Sequence, residues 1–349
     1  KRLQALLAEY EELKAKSITR FSWQKNAVNC TGNVIANAKN CRNSFCVSEV
    51  ENGNNLLFVD NGKDLHDINN CCCIMERMYE VNTGGVKCAN VRLSSDAWPE
   101  VRNATYTISC RNGTHDLFGC VGIQKRGYCI LIKQYSPDEY AKLAEKIIRH
   151  MDELPYTDST GKTYLFGEFF PPELSPFAFN ESAAFTYTPL SQSDVLARGW
   201  RWRDPEEKAY VPTMLAQNIP DDIRNTAEEI TKEIISCEHA GTCDEQCTKV
   251  FRIVSAEFGF YRAKSIALPR LCPNCRHYTR VKKMASFKLW KRRCMCNGQM
   301  ANSKSQIAYQ NTIAHFHGNE PCPNEFETSY APDRPEIVYC EACYNAEVV

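Results

Sequence analysis

The sequence predicts a mainly β protein with some α: a parallel β-solenoid-like repeat domain capped by helices, followed by an irregular linker and two small cysteine-rich modules. Three observations predict it. Asn, Gly and Cys recur through the first third at a loose spacing of about eleven. A helix-start signal follows where that recurrence stops. In the last third, cysteines fall as close pairs around a basic stretch.

The bulk composition allows such a chain. Its 349 residues suffice for two or three domains, and 43% are apolar, with 16 Phe, 16 Tyr and 5 Trp. That content excludes a disordered chain. No apolar run approaches the ~18 residues that a spanning helix needs. The N-terminus is charged and helix-like, without the features of a signal peptide. The chain opens on Lys1, as a piece of a longer protein would.

Residues 1–20 read as an N-terminal amphipathic capping helix. Leu3, Leu6, Leu7, Tyr10 and Leu13 recur at helical spacing. The expectation is that this stripe covers one end of the next domain, with a coiled-coil partner helix as the alternative.

Residues 21–135 read as the Asn/Cys-rich β-solenoid-like domain. Its Cys and Gly positions 30, 41, 53, 62, 88 and 110 step by 11, 12, 9, 26 and 22. A coil of about 22 residues fits those steps. Asn tolerates left-handed backbone at the turns. Small thiols stack inside as soft hydrophobes, so Cys30, Cys41, Cys46, Cys88, Cys110, Cys120 and Cys129 read as core. Cys71, Cys72 and Cys73 cannot all face one way along a strand, and a metal site there is the sharper alternative.

Residues 136–236 read as a capping helix, an aromatic and Pro-rich linker, and further helices. Ser136 as N-cap, Pro137 at the first helical position and Glu139 as capping-box partner start the first helix. Leu143, Ile147, Ile148 and Met151 form its apolar face, suited to closing the open solenoid end. The linker, GEFFPPELSPFAFNESAAF then RGWRWRDPEEKAYVP, packs as irregular structure on the solenoid or offers a partner-binding surface. Trp200, Arg201, Trp202 and Arg203 suit either base stacking or an ordinary hairpin. Ser191 begins a short helix ending at Gly199. Another runs from Asp221 to about Ser236, with acids in its first turn.

Residues 237–290 and 291–349 read as two zinc ribbons. Short Cys-x₂₋₄-Cys loops present two thiolates to one ion, and two facing loops complete a tetrahedron. The metal then replaces a core too small to form. Cys243 and Cys247 with Cys272 and Cys275 make the first set, with Cys237 and His239 as substitutes just upstream. Cys340 and Cys343 anchor the second. Cys294, Cys296 and Cys322 compete for its remaining places, with His315 and His317 nearby. A Cys-x-Cys loop is short for a knuckle, so Cys322 is expected to join one of Cys294 and Cys296. Four thiolates leave no open coordination position, so both Zn2+ ions read as structural.

Twenty cysteines without a secretory signal favour metal over disulfides and a reducing cytoplasm. The sequons at Asn29, Asn103, Asn112 and Asn180 then read as chance. Lys and Arg equal Asp and Glu at 42 each, but 258–319 contains no acid and twelve basic residues. Two zinc-tetrathiolates would offset about four of those charges. The remainder suits phosphate. Arg276, Arg280, Lys282, Lys283, Lys288, Lys291, Arg292 and Arg293 are the candidate nucleic-acid contacts. Tyr278, Phe287 and Trp290 suit either base stacking or ribbon core. Asp60, Asp64, Asp67, Asp96 and Asp116 form no pair spaced for glycoside hydrolysis, and no nucleophile or phosphate-loop motif occurs.

The segments DLFGCVGIQKRGYCILIKQYSPDEY (116–140), GEFFPPELSPFAFNE (167–181), FRIVSAEFGFYRAKSIALPRLCPNCRHYTR (251–280) and FETSYAPDRPEIVYCEACY (326–344) resemble a group of zinc-ribbon-containing proteins from metagenomic bacterial genomes and some large viruses. The resemblance implies an Asn/Cys-rich repeat flanked by zinc ribbons, often with another ribbon ahead of the repeat. It implies no activity. This chain departs from the group's Cys-x-x-Cys at Cys243-x₃-Cys247 and carries an insertion at 297–321. The function expected is non-catalytic: binding of nucleic acid or a ribonucleoprotein through the basic C-terminal third. A protein-interaction scaffold is the alternative.

Overall fold

The computed structural model describes residues 2–204, 210–296 and 309–348. Part of the linker at 205–209 and part of the insertion at 297–308, with Lys304, lie outside the described residues. The chain divides into two compact units: Lys1–Pro176 with Ser286–Val349, and Phe177–Ala285.

A β-solenoid dominates the first unit. Its strands include Gln24–Val28, Gly32–Arg42, Ser44–Gly85, Cys88–Ala97, Arg102–Thr105, His115–Phe118 and Gly127–Ile130, each pairing in parallel with the next. The register gives the coil length. Gln24 pairs with Ile35, Gly32 with Ser44 and Met75 with Cys88, so a coil takes 11, 12 or 13 residues. The expected coil of about 22 was two coils.

The reason lies in the backbone. Left-handed residues recur every third position: Asn40, Asn43, Cys46, Glu49 and then Asn52, one coil on, all have φ between 48° and 57°. Each twelve-residue coil therefore has four three-residue sides. The residue after each corner points inward, so Val47, Val50, Leu56 and Val59 are buried. Where a coil lengthens to 13, a second left-handed residue is added, as at Val86 and Lys87. This threefold rhythm also resolves the cysteine triplet. Cys71 is buried, Cys72 half-buried and Cys73 exposed, where a twofold alternation was expected. Cys41, Cys88, Cys110, Cys120 and Cys129 lie in the core and Cys30 packs against it, whereas Cys46, also expected in the core, is a half-buried left-handed corner.

Asn suits the corners because its short amide tolerates positive φ. Stacked corners form ladders. Asn29 donates to Asn40 (2.9 Å), Asn40 to Asn52 (3.1 Å) and Asn52 to Asp64 (2.8 Å). A second ladder runs Asn43, Asn55, Asp67, and a third Asn90, Asn103, Asp116. Asp64, Asp67 and Asp116 thus end ladders.

Both predicted helices form. The N-terminal helix Arg2–Lys16 forms, but Leu6, Leu7, Tyr10 and Leu13 are all more than half exposed. Its stripe covers nothing among the described residues. The helix Pro137–Glu153 has the capping box predicted at Ser136 and Glu139. It lies along the flank of the late coils, where Tyr140, Ala144 and Ile148 face Arg92, Thr105 and Phe118 across a cleft of about 520 Å³. The short antiparallel strand Lys133–Gln134 edges the last coil. The following linker docks on the solenoid through Tyr106. Its hydroxyl accepts from Gly167 N (3.0 Å) and donates to Glu168 O (2.9 Å), and its ring meets Phe118, Phe166 and Phe170.

In the second unit, Phe179 stacks on Trp200 at 5.6 Å, and Phe185 meets Trp202 and Tyr278 edge-on. Those aromatic faces are taken within the protein. Ser191 caps the predicted short helix, Gln192–Ala197. The helix expected over 221–236 is replaced by 3₁₀ turns at Ile223–Asn225 and Glu228–Lys232 and by the strand Ile235–Ser236. Five β-branched residues crowd 226–235, which weakens a helix, and Ile223, Ile230 and Ile235 turn into this unit's core.

Candidate metal centres

The first centre is built by a β-pair and a helix start. Strand Ile235–Ser236 pairs antiparallel with Val250–Phe251, closing the loop that carries Cys237 to Cys247. Cys272 caps helix Pro273–Val281 and Cys275 lies in its first turn. The sulfurs of Cys237, Cys247, Cys272 and Cys275 all lie within 4.8 Å of one another. Cys237 thus stands where the sequence favoured Cys243. Cys243 stays close, with its sulfur 3.6 Å from that of Cys275, and groups with His239, Glu245 and Cys275. The signal for Cys237 was its place directly after the strand that the loop closes.

The backbone is aimed at these sulfurs. Cys237 accepts from Cys272 N (3.3 Å), Cys247 from Lys249 N (3.4 Å) and Cys272 from Cys275 N (3.5 Å). Left-handed Ala240, Gln246 and Lys249 turn the loop. Amide donors favour the thiolate over the thiol. Burial opposes ionisation at Cys272, yet the Cys275 amide and other donors bring it down to about 6. Burial and the neighbouring thiols push Cys275 well up.

The second centre repeats the plan in the first unit. Strand Trp290–Arg293 pairs antiparallel with Glu325–Thr328. Strand Ile337–Tyr339 leads into helix Glu341–Val348, which carries Cys343. Cys294, Cys296, Cys322 and Cys343 gather within 4.8 Å. Both cysteines of the Cys-x-Cys loop enter, where one was expected. Cys340 adjoins them, its sulfur 4.0 Å from Cys322, while Cys322 and Cys343 are 3.7 Å apart. Cys340 N donates to Cys294 (3.2 Å), and Asn324 Nδ2 to Cys340 (3.2 Å). The Cys294 thiol, with the Asn324 amide and the Cys343 backbone amide, draws Cys340 down to about 4. His315, His317, Cys296 and Cys343 form a further group.

The strand Ile18–Arg20 also belongs here, paired in parallel with Ile337–Tyr339. Phe21 packs on Phe326 at 5.3 Å, and Thr328 Oγ1 donates to Phe21 O (2.6 Å). By sequence, these residues belong to the N-terminal helix segment and the solenoid.

These thiols suit a metal ion. All twenty cysteines are free. A disulfide needs sulfurs about 2.05 Å apart. Zn–S bonds of about 2.3 Å in a tetrahedron put sulfurs about 3.8 Å apart, and within the groups Cys237 and Cys275 are 3.9 Å apart and Cys322 and Cys343 3.7 Å. The groups are thus able to hold metal. Comparisons with protein-family models, curated proteins and solved structures give no match. The resemblance to the zinc-ribbon group therefore rests on its quoted residues alone.

Several of the basic residues are already engaged within their own unit. Arg292 is buried at 6% exposure, and its Nη1 donates to the carbonyls of Tyr330 and Ala331, both at 3.3 Å. Arg276 pairs with Glu257 (2.8 Å), Lys282 with Glu245 (2.7 Å) and Arg293 with Glu325 (2.8 Å). Lys288 lies over the Trp290 ring. Arg280, Lys283 and Lys291 are exposed. Phe287 packs on Phe45 and Phe58 of the solenoid. The acids that neutralise Arg276, Lys282 and Arg293 come from outside the acid-free span, so sequence proximity could not reveal them.

Proposed function

We propose that this chain is a non-catalytic scaffold, in which two cysteine-rich centres hold structural zinc and the solenoid presents a flank to a partner. One observation carries the reading: two separate groups of at least four sulfurs, spaced for a tetrahedral ion, each with amide donors turned onto them. Zinc is the metal best matched to sulfur-rich tetrahedral donors. A reducing cytoplasm would keep those thiols available. Elemental analysis of protein purified under reducing conditions tests the metal. Zinc at two or more equivalents, with loss of the cooperative transition after chelation, supports it. Metal-free folded protein refutes it. The scaffold predicts a discrete protein complex that survives nuclease and high salt.

A second reading, binding of nucleic acid or a ribonucleoprotein, is favoured by the exposed Arg280, Lys283, Lys288 and Lys291 in the acid-free span. Replacement of Lys288 and Lys291 by Glu would then weaken binding about tenfold at physiological salt and flatten its salt dependence. Unchanged binding removes the reading. Arg292 is unsuited to this test because its guanidinium is buried.

A further inference from the structure

We infer that the C-terminal centre is binuclear: beside the ion held by Cys294, Cys296, Cys322 and Cys343 there is a second soft-ligand site formed by Cys296, Cys343, His315 and His317. The inference rests on the metal-binding reading and adds one ion to one of its centres.

The two donor groups share Cys296 and Cys343, and within each group every donor atom lies within 4.8 Å of the others. Two four-coordinate ions need eight ligand positions. Six donors supply eight if two thiolates bridge, which sulfur can do because it keeps lone pairs after its first metal bond.

The histidines add an independent observation. His315 Nε2 sits 2.9 Å from Glu347 Oε1, with the two side chains 1% and 0% exposed. His315 Nδ1 is equally buried and has no hydrogen-bond partner among the described residues. A histidine serving only as packing or as a hydrogen-bonded core residue would satisfy both nitrogens. In His317 the roles are reversed. Nδ1 is 2.7 Å from Glu320 O, and Nε2 is 3.3 Å from the Cys296 sulfur and 3.6 Å from that of Cys343. Each ring therefore ties one nitrogen to an oxygen acceptor and leaves the other for a ligand. That is the outer-shell arrangement of metal-bound histidines, where the acceptor fixes tautomer and orientation. Glu347 is fixed in turn by Thr312 N (3.0 Å), Thr312 Oγ1 (2.8 Å) and Tyr309 OH (3.1 Å). A single four-sulfur ion would use neither imidazole and would leave this buried assembly without a purpose.

Cadmium substitution with cadmium NMR tests the inference on the full chain. Cys247→Ser, which disables the first centre, identifies the C-terminal signals. The expected result is two C-terminal resonances, one typical of four sulfurs and one of mixed sulfur and nitrogen, split by coupling through the shared thiolates. Replacing His317 by Ala should remove the mixed resonance and one metal equivalent while the four-sulfur signal persists. His315→Ala should do the same and serves if the first variant fails to fold. A single C-terminal resonance in the wild-type chain, or full metal content in both variants, overturns the binuclear centre and leaves the metal reading standing. No cadmium uptake at all overturns both.

Discussion

Arg20 grips Glu341 with two hydrogen bonds of 2.5 and 2.6 Å across 321 positions of sequence. Glu341 opens the helix that carries Cys343. The contact therefore ties the start of the chain to the second metal centre. Both side chains are partly exposed, so Arg20→Ala is expected to cost only about 1 kcal/mol. Deleting 1–22 should cost much more, because the parallel strand and Phe21 leave with it. Deleting 1–16 should leave the centre intact. Metal retention against a chelator, measured on the three variants, separates these cases.

The Asn ladders make a second prediction. Asn40 holds φ 55° and bonds to Asn29 and Asn52. Asn40→Ala loses the ladder and adds backbone strain, for about 2 kcal/mol. Asn40→Gly loses the ladder alone and should be the milder change. Urea unfolding midpoints decide the order.

Glycine substitutions should differ by position. A Cβ on Gly85, at φ 135°, would lie 1.8 Å from the carbonyl oxygen of Cys72 in the neighbouring coil. Gly85→Ala should cost ~3 kcal/mol or more. Gly122, at φ 68°, has open space around its Cβ direction, so Gly122→Ala should cost only about 1 kcal/mol from the backbone. Circular-dichroism melts of both variants make the comparison.

Buried thiols set an alkaline limit. Burial pushes Cys71 and Cys120 up to about 12 and Cys41 up to about 11. The unfolded chain ionises its thiols near 8.5, whereas the folded core keeps them neutral. Their contribution is complete below the unfolded value and is lost as pH rises towards 11 to 12. The urea midpoint should accordingly fall between about pH 8.5 and 11. Over the same range, a thiol-alkylating reagent should modify exposed Cys73 well before Cys71.

Arg292 should behave as a core residue. Burial lowers its guanidinium pKa, and two carbonyls hold it. Arg292→Glu is expected to cost about 3 kcal/mol or more by burying an unpaired charge of the wrong sign. Lys291→Glu, one residue away and exposed, should stay within about 0.5 kcal/mol. Thermal melts under matched metal loading check the pair.

What was legible in the sequence follows from the range of the forces involved. Ser136, Pro137 and Glu139 marked a helix start correctly because a capping box is a contact over three residues. The Asn and Cys recurrence revealed the solenoid because each coil stacks like on like. A coil of about 22 fits the Cys and Gly steps as well as one of about 11, and left-handed corners at Asn40, Asn43 and Cys46 close each coil in the shorter length. The cysteine pairs revealed two centres, but Cys237 lacks a close partner in sequence and gains one only when Ile235 pairs with Phe251. The strand at Ile18–Arg20 was invisible for the same reason. Nothing near it in sequence hints at Ile337–Tyr339. The exposed Leu6 and Leu13 show the converse limit, since a helical stripe says that a face is apolar and not what covers it.

The corner at every third residue has a mechanical consequence. Neighbouring coils are joined by short runs of parallel backbone bonds, so tension along the solenoid axis loads one interface after another. Coils should peel away singly, each at similar force. Tension across the axis loads many backbone segments side by side and should meet much higher resistance. A protein built this way resists shear and yields to stretching, like a wound spring whose turns are lightly glued.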